Sequence, residues 1–363
     1  MFCTPQGALQ FVDPYRSAFD LKGVDDLTGA HRPPFLQQEV NPRHRFAGDA
    51  LFLRPAAPRH ASVLRQGTMT VCSAPRGGQT PLFRRRDAGQ RMPEGPEIHR
   101  AADRLRKALV GKTLLEVQAE HPAIAGRLDG WVGREVESVD ARSKAMLIRV
   151  GDHVLYSHNQ LYGRWTVNRA TTAPPDWNRA LRVAFVNETH ACRLWSASDV
   201  VLLEAWEVEG HPYIAQLGPD VADLRTTVAE VRVHLEEARF QRRGLAGLLL
   251  DQRFLAGVGN YLRSEILFEA GLDPTRRVGQ LTAAEKDALA QAAVDITHRA
   301  YHQKGVTVDM VTFQTMRDNG VARRSARHYV FHRDGMACHR CQATIVHGRV
   351  GGRRLDVCPA CQT

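Results

Sequence analysis

Apolar and polar positions change rhythm several times along the chain. Ile98, Ala101, Ala102, Leu105, Ala108 and Leu109 recur at three- and four-residue steps until Gly111, which predicts an amphipathic helix with a glycine stop. Arg100, Arg104, Arg106 and Lys107 lie largely off that stripe, as a solvated face or near a phosphate backbone. The rhythm then shortens. Segments 113–118, 135–140, 145–150, 153–157, 164–168, 181–186 and 191–196 read as brief, regularly spaced strands, the pattern of a sandwich or barrel. Leu217-Gly218-Pro219-Asp220 breaks it, and helices are predicted over 228–237, 245–250, 261–270 and 282–302.

Residues 1–91 sustain no period. They hold 12 Arg and one Lys against 7 acids, with Arg84-Arg85-Arg86 close to Met92. This stretch reads as a mostly disordered leader, as a targeting segment, or as sequence that is never translated because synthesis starts at Met92. Asp13, Asp20, Asp25 and Asp26 disfavour targeting. The third reading ranks first for a chemical reason.

That reason is Met92-Pro93-Glu94-Gly95-Pro96-Glu97. If methionine were trimmed, Pro93 would carry a free secondary amine able to attack a sugar carbon and form an iminium, with Glu94 beside it to move protons. The plainer account is a helix start, with Pro96 in the first turn and acids suited to the helix dipole. Lys144 sits between a turn-like Ala141-Arg142-Ser143 and an apolar strand; an ordinary surface lysine is the alternative. Gln160-Leu161-Tyr162 reads as a wedge or, more plainly, as core residues. The glycine-rich turn 255–260 would bring backbone N–H groups close to an anion, and Asn260 could add a side-chain bond to phosphate; packing glycines between helices are the alternative.

The 363 residues allow two or three domains, and 43% hydrophobic with 24% charged residues is ordinary for a soluble globular protein. A formal charge of +10 favours a polyanionic partner. No apolar run approaches a membrane span, and no signal-peptide pattern opens the chain. Cys3, Cys72 and Cys192 are scattered, whereas Cys338, Cys341, Cys358 and Cys361 form two Cys-x-x-Cys knuckles sixteen residues apart. That spacing predicts a structural zinc ribbon with four thiolates and no open coordination position. Val350-Gly351-Gly352-Arg353-Arg354 between the knuckles reads as a basic hairpin tip.

Taken in order, these segments resemble the formamidopyrimidine-DNA glycosylase family, and within it the endonuclease VIII branch. Residues 93–97 resemble its mature N-terminus, 142–145 its catalytic-lysine segment and 157–163 its intercalation loop. Residues 247–263 resemble its helix–two-turn–helix, and 331–335 the lead into its zinc ribbon. The resemblance implies an α+β fold: a β-sandwich with a leading helix over 92–216, a helical domain over 217–330 and a zinc-ribbon finger over 331–363. It implies a monomeric DNA glycosylase and AP lyase of the bacterial cytoplasm, associated with the nucleoid through damaged duplex DNA. Pro93 would attack C1′, Glu94 would open the sugar, Lys144 would donate a proton in β-elimination, and Arg353 would support δ-elimination and grip phosphate. Gln160, Leu161 and Tyr162 would fill the gap left by a flipped nucleotide, and Asn260 would hold a phosphate. Gly95 and the Gln-Leu-Tyr triplet resemble the branch that excises oxidised pyrimidines. Gln216 departs from the pattern, standing where close relatives carry a DNA-contacting arginine. Two other readings are a glycosylase preferring oxidised purines and, if residues before Pro93 are retained, a damage-binding protein without catalysis.

Overall fold

The computed structural model describes residues 92–363, so the expectations for 1–91 lie outside the described residues. Helix α1 (Gly95–Leu109) buries the predicted stripe and leaves Arg104, Arg106 and Lys107 exposed. Its first turn holds Pro96, where a missing N–H costs no helical bond. Glu97 turns its carboxylate back to accept from the Glu94 N–H at 3.2 Å.

Eight strands follow: β1 (Glu116–Ala119), β2 (Ser138–Arg142), β3 (Ala145–Val150), β4 (His153–His158), β5 (Arg164–Arg169), β6 (Leu181–Val186), β7 (His190–Trp195) and β8 (Asp199–Glu204). They form two antiparallel four-stranded sheets, ordered β1-β6-β7-β5 and β2-β3-β4-β8. Met146, Ile148 and Val150 of β3 share one core with α1 and with Trp165, Val183, Phe185 and Leu194 of the other sheet. Ala145 and Leu147 point the other way and pack with Val154, Tyr156, Val208 and Ile214. Burial on both faces explains why β3 opens on four consecutive apolar residues instead of an alternation, with Arg149 alone turned to solvent. Strand β8 was not anticipated from the sequence. Its pairing with β4, Asp199 opposite His158 through Glu204 opposite His153, is a long-range contact that local pattern does not encode.

Beyond the sandwich lie α2 (Val228–His234), α3 (Leu245–Leu248), α4 (Asn260–Glu269), α5 (Ala283–His302), α6 (Met310–Asp318) and α7 (Arg323–Ala326). Thr227 and Thr282 cap α2 and α5, each accepting from the backbone N–H of the glutamate three residues on, whose carboxylate bonds back. Helices α6 and α7, also unanticipated, contribute Phe313 and Ala326 to a core shared with Phe268 of α4 and with Cys338, Ile345 and Cys358. A final antiparallel pair, β9 (Val346–Val350) and β10 (Arg353–Val357), sets Val350 opposite Arg353 across the Gly351-Gly352 turn. The fold is α+β. Among the described residues no helix is long and apolar enough to cross a membrane.

Helix α4 buries two charged residues, Arg263 and Glu265, at 0% exposure. The Glu265 carboxylate accepts from the Thr307 hydroxyl at 2.6 Å and from the N–H groups of Tyr329, Val330 and Phe331 at 2.8, 2.9 and 2.9 Å. Burial pushes its pKa up, and those four donors oppose the shift. The bonds tie the segment that leads into the cysteine-bearing hairpin to the centre of the helical core. Glu265→Gln sets an NH2 group against backbone donors, a loss of about 2–3 kcal/mol. The expected drop in melting temperature is roughly 5–10 °C, read by calorimetry; an unchanged value would mean these bonds do not hold the segment.

Candidate active site

Segments far apart in sequence converge on the N-terminus of α4. Glu94 is 4% exposed. Its Oε2 accepts from the N–H groups of Gly259 and Leu262 at 2.8 and 3.2 Å, and its Oε1 from that of Tyr261 at 2.9 Å. The glycine-rich turn therefore does present backbone N–H groups to an anion, but that anion is the protein's own carboxylate. A side chain at 259 would destroy the arrangement, because a Cβ there would lie 2.3 Å from Glu94 Cδ. Gly95 is equally constrained: its N–H donates to Gly257 at 2.9 Å, and a Cβ would lie 2.6 Å from that of Ala222.

Lys144 sits in the two-residue turn between β2 and β3, where Arg142 opposes Ala145 and Ser143 takes φ +60°. Ser143 is fully buried and pins the turn. Its N–H donates to Asp220 Oδ2 at 2.6 Å, and its hydroxyl lies 2.9 Å from the Tyr213 hydroxyl and 3.1 Å from Gln252 Oε1. The same hydroxyl accepts from the Gly257 N–H at 2.9 Å. From this turn the Lys144 ammonium reaches the Val258 carbonyl, at the loop that leads into α4.

Arg353 opens β10 and is exposed. Its strand is held by Arg263 of α4, which donates to the Arg354 carbonyl at 2.6 Å, more distantly to that of Arg353 at 3.4 Å, and to Ala246 at 2.9 Å. Asn260, the first residue of α4, has a buried Oδ1 without a hydrogen-bond partner. Pro93 lines a cavity of about 260 Å³ together with Leu161 from the β4–β5 loop. In that loop Gln160 takes φ +47° and accepts from the Ser198 hydroxyl at 3.0 Å, while Leu161 and Tyr162 are 42% and 60% exposed and belong to no core. Gln216 stands outside this constellation; its Oε1 accepts from Arg253 Nε at 2.8 Å.

The Sγ atoms of Cys338, Cys341, Cys358 and Cys361 all lie within 4.8 Å of one another, with Cys341–Cys358 at 3.4 Å and Cys338–Cys361 at 3.9 Å. Tetrahedral thiolates around one ion, with metal–sulfur bonds near 2.3 Å, stand roughly 3.8 Å apart. The cluster fits a metal ion of that kind.

Family models match two parts of the chain: the formamidopyrimidine-DNA glycosylase N-terminal domain over residues 92–196 and the H2TH domain of the same glycosylase over 217–312. Endonuclease 8 of Klebsiella pneumoniae is 42% identical over 272 residues, covering 75% of this chain and 100% of the relative. Endonuclease 8 of Pectobacterium carotovorum is 43% identical over the same length and coverage. The chain belongs to the formamidopyrimidine-DNA glycosylase family. Among solved structures, the fold is similar to Lactococcus lactis formamidopyrimidine-DNA glycosylase non-covalently bound to DNA containing an AP site, with TM-score 0.60, 22% identity and coverage of 74% of this chain and 99% of that one. The same Lactococcus protein with DNA containing N7-benzyl-Fapy-dG gives TM-score 0.62 at 21% identity, covering 75% and 100%.

As a member of this family, the chain is a DNA glycosylase and AP lyase, and its site has electrostatics suited to proton transfer. Burial pushes the Glu94 carboxyl up to about 7, with the Lys144 cation and the backbone donors pulling it back. Burial pushes the Lys144 ammonium down to about 8; Glu94 opposes this and the Arg353 cation adds to it. An acid and a base that feel each other's charge and titrate near neutrality can each take up or release a proton at physiological pH. The sequence did not single out Ser143, Asp220 or Arg263 as parts of the site. Arg263 and Glu265 were visible as charges inside the apolar run 261–268, whereas Ser143 and Asp220 carry no local signal.

The raised Glu94 pKa makes a stability prediction with a definite sign. Between the unfolded value near 4.5 and the folded value of about 7 the native state binds the extra proton, so stability falls as pH rises. Glu94→Gln removes that dependence. The stability of wild type relative to Glu94→Gln should be greatest below about pH 4.5 and shrink by up to about 3 kcal/mol toward pH 8, measured by urea unfolding. A difference independent of pH would contradict the raised value.

Proposed function

We propose that the chain excises oxidised pyrimidines from damaged duplex DNA through an iminium on Pro93 and then cuts the strand by β,δ-elimination. The observation that carries this reading is the convergence of Glu94, Lys144 and the Arg353 strand on the N-terminus of α4, with Pro93 directly before Glu94. The amine of Pro93 attacks C1′ of a flipped nucleotide, the damaged base departs, and Glu94 protonates the ring oxygen so that the sugar opens. The resulting iminium acidifies the C2′ proton; its removal breaks the C3′–O bond, with Lys144 as proton donor. Arg353 grips phosphate while the C5′–O bond breaks in the δ step. Exposed Leu161 and Tyr162, with Gln160, fill the gap in the base stack and offset part of the few kcal/mol that flipping costs. The unpartnered Oδ1 of Asn260 supports a role in binding: its side chain, turned so that the amide donates, holds a backbone phosphate. Gln216, bonded to Arg253, contributes a weaker contact to the strand. The four cysteines hold one zinc ion, which supplies a scaffold for the β9–β10 hairpin and no step of the reaction.

A proline nitrogen inside a chain is an amide whose lone pair is delocalised, and it cannot attack carbon. The active form therefore begins at Pro93. Alignment of whole relatives over 272 residues, the length of Met92–Thr363, supports this start. Preference for pyrimidines is supported by 42% identity to endonuclease 8 and by Gly95 with the Gln-Leu-Tyr triplet.

Protein begun at Met92 should cut a thymine-glycol duplex at least tenfold faster than an 8-oxoguanine duplex and leave phosphate at both new ends, read on denaturing gels. Arg353→Ala should shift the product toward the β-elimination end. The 363-residue chain should cut neither. Equal cutting of both lesions would return the purine reading, and full activity of the long chain would remove Pro93 from the mechanism.

A further inference from the structure

The cavity that adjoins Pro93 carries a charge arrangement that the chemistry above does not use. Three arginines from separate elements line it: Arg104 of α1, Arg164 at the start of β5, and Arg179 from the segment before β6. Among the described residues, neither Arg104 nor Arg164 has a carboxylate within ion-pair distance. The cavity's one carboxylate, Glu97, is engaged by the Tyr261 hydroxyl at 3.0 Å and the Glu94 N–H at 3.2 Å, with Arg100 at 3.9 Å. Although its side chain reaches solvent, Arg104 is pushed below its usual pKa by partial desolvation and by the neighbouring cations Arg100 and Arg164. The arginines are also held in place. Arg164 and Arg179 each bring the guanidinium carbon to 5.5 Å from the centre of the Trp177 ring, and Arg179 donates to the Tyr162 carbonyl in the wedge loop.

Like charges brought together without a counter-charge cost stability unless an anion joins them. Guanidinium groups offer only donors, in a planar fork that fits phosphate oxygens, and three of them together match the charge of a phosphodiester better than the neutral edge of a base. The cavity's walls also include Leu161, so its mouth lies where the functional reading puts the distorted strand. We infer that Arg104, Arg164 and Arg179 form a phosphate pocket that takes a phosphodiester group of the DNA next to the flipped nucleotide. The inference rests on the DNA reading above and adds a site for holding the strand on the Pro93 side, away from α4 and the β9–β10 hairpin.

The test uses protein begun at Met92 and measures binding by fluorescence anisotropy across a range of salt. The probes are a duplex carrying a non-cleavable abasic analogue and an undamaged duplex. Wild-type preference for the abasic duplex checks the functional reading by itself; equal binding to both would overturn that reading, while the variants still report on the pocket through either duplex. Arg104→Gln and Arg164→Gln should each weaken binding roughly 3- to 10-fold and flatten the dependence of log K on log salt by about one. Arg164→Lys should keep most of the slope. Replacing single linkages with neutral methylphosphonates should identify one position where wild type suffers the same loss and the variants lose nothing further. Melting temperatures at or above wild type are expected, since each Gln relieves repulsion between cations. Unchanged slopes, or independent additive losses at every linkage, would overturn the proposal. So would a clear fall in melting temperature, which would make these arginines structural. If inorganic phosphate competes at the pocket but no linkage couples to the variants, the site takes free anions and the assignment to the strand is wrong.

Discussion

The carboxylate of Glu94 and the first N–H groups of α4 each present a problem that the other solves. A buried carboxylate without partners costs several kcal/mol, and the N-terminus of a helix leaves backbone donors unpaired. Joined across more than 160 residues of sequence, they fasten the segment that carries Pro93 to the helical part of the molecule. Two further groups of α4 extend the same connection: Arg263 holds the backbone at Arg353 and Arg354, and Glu265 holds Tyr329, Val330 and Phe331. One ten-residue helix thus fixes three portions of the chain, two of which carry Pro93, Glu94 and Arg353, while Lys144 arrives separately from the β2–β3 turn.

This placement has an electrostatic consequence. Glu94 and Lys144 approach each other in surroundings that disfavour both charges, and their titrations move toward neutrality from opposite sides. The Ser143 turn keeps Lys144 there through bonds to Asp220, Tyr213, Gln252 and Gly257, so little reorganisation is left for the reaction itself. Arg263 and Glu265 bond to backbone groups and not to each other, so removing either leaves buried carbonyls or N–H groups without partners. Their value here is positional.

Much of this was legible in the sequence because the elements involved are periodic or spaced in fixed ways. The stripe of α1, the double-sided apolar run of β3 and the paired knuckles at Cys338, Cys341, Cys358 and Cys361 each state their structure locally. The exposure of Leu161 and Tyr162 was one of two readings open in the sequence, since an apolar pair between polar neighbours more plainly reads as core. Strand β8 and the short helices α6 and α7 were missed because tertiary pairing, not local period, makes them. The occupant of the glycine-rich turn was missed for a related reason: sequence shows that an anion would fit there, but not that Glu94 supplies it.

The atom that bonds to the sugar decides the mechanism. Borohydride reduction of the protein begun at Met92, during reaction with an abasic duplex, should give a stable adduct; proteolysis and mass spectrometry should place the sugar remnant on the nitrogen of Pro93. Pro93→Gly, which keeps a free terminal amine, should retain measurable trapping, whereas an acetylated terminus should abolish it. An adduct mapped to Lys144 or another lysine, at full wild-type yield, would contradict the account.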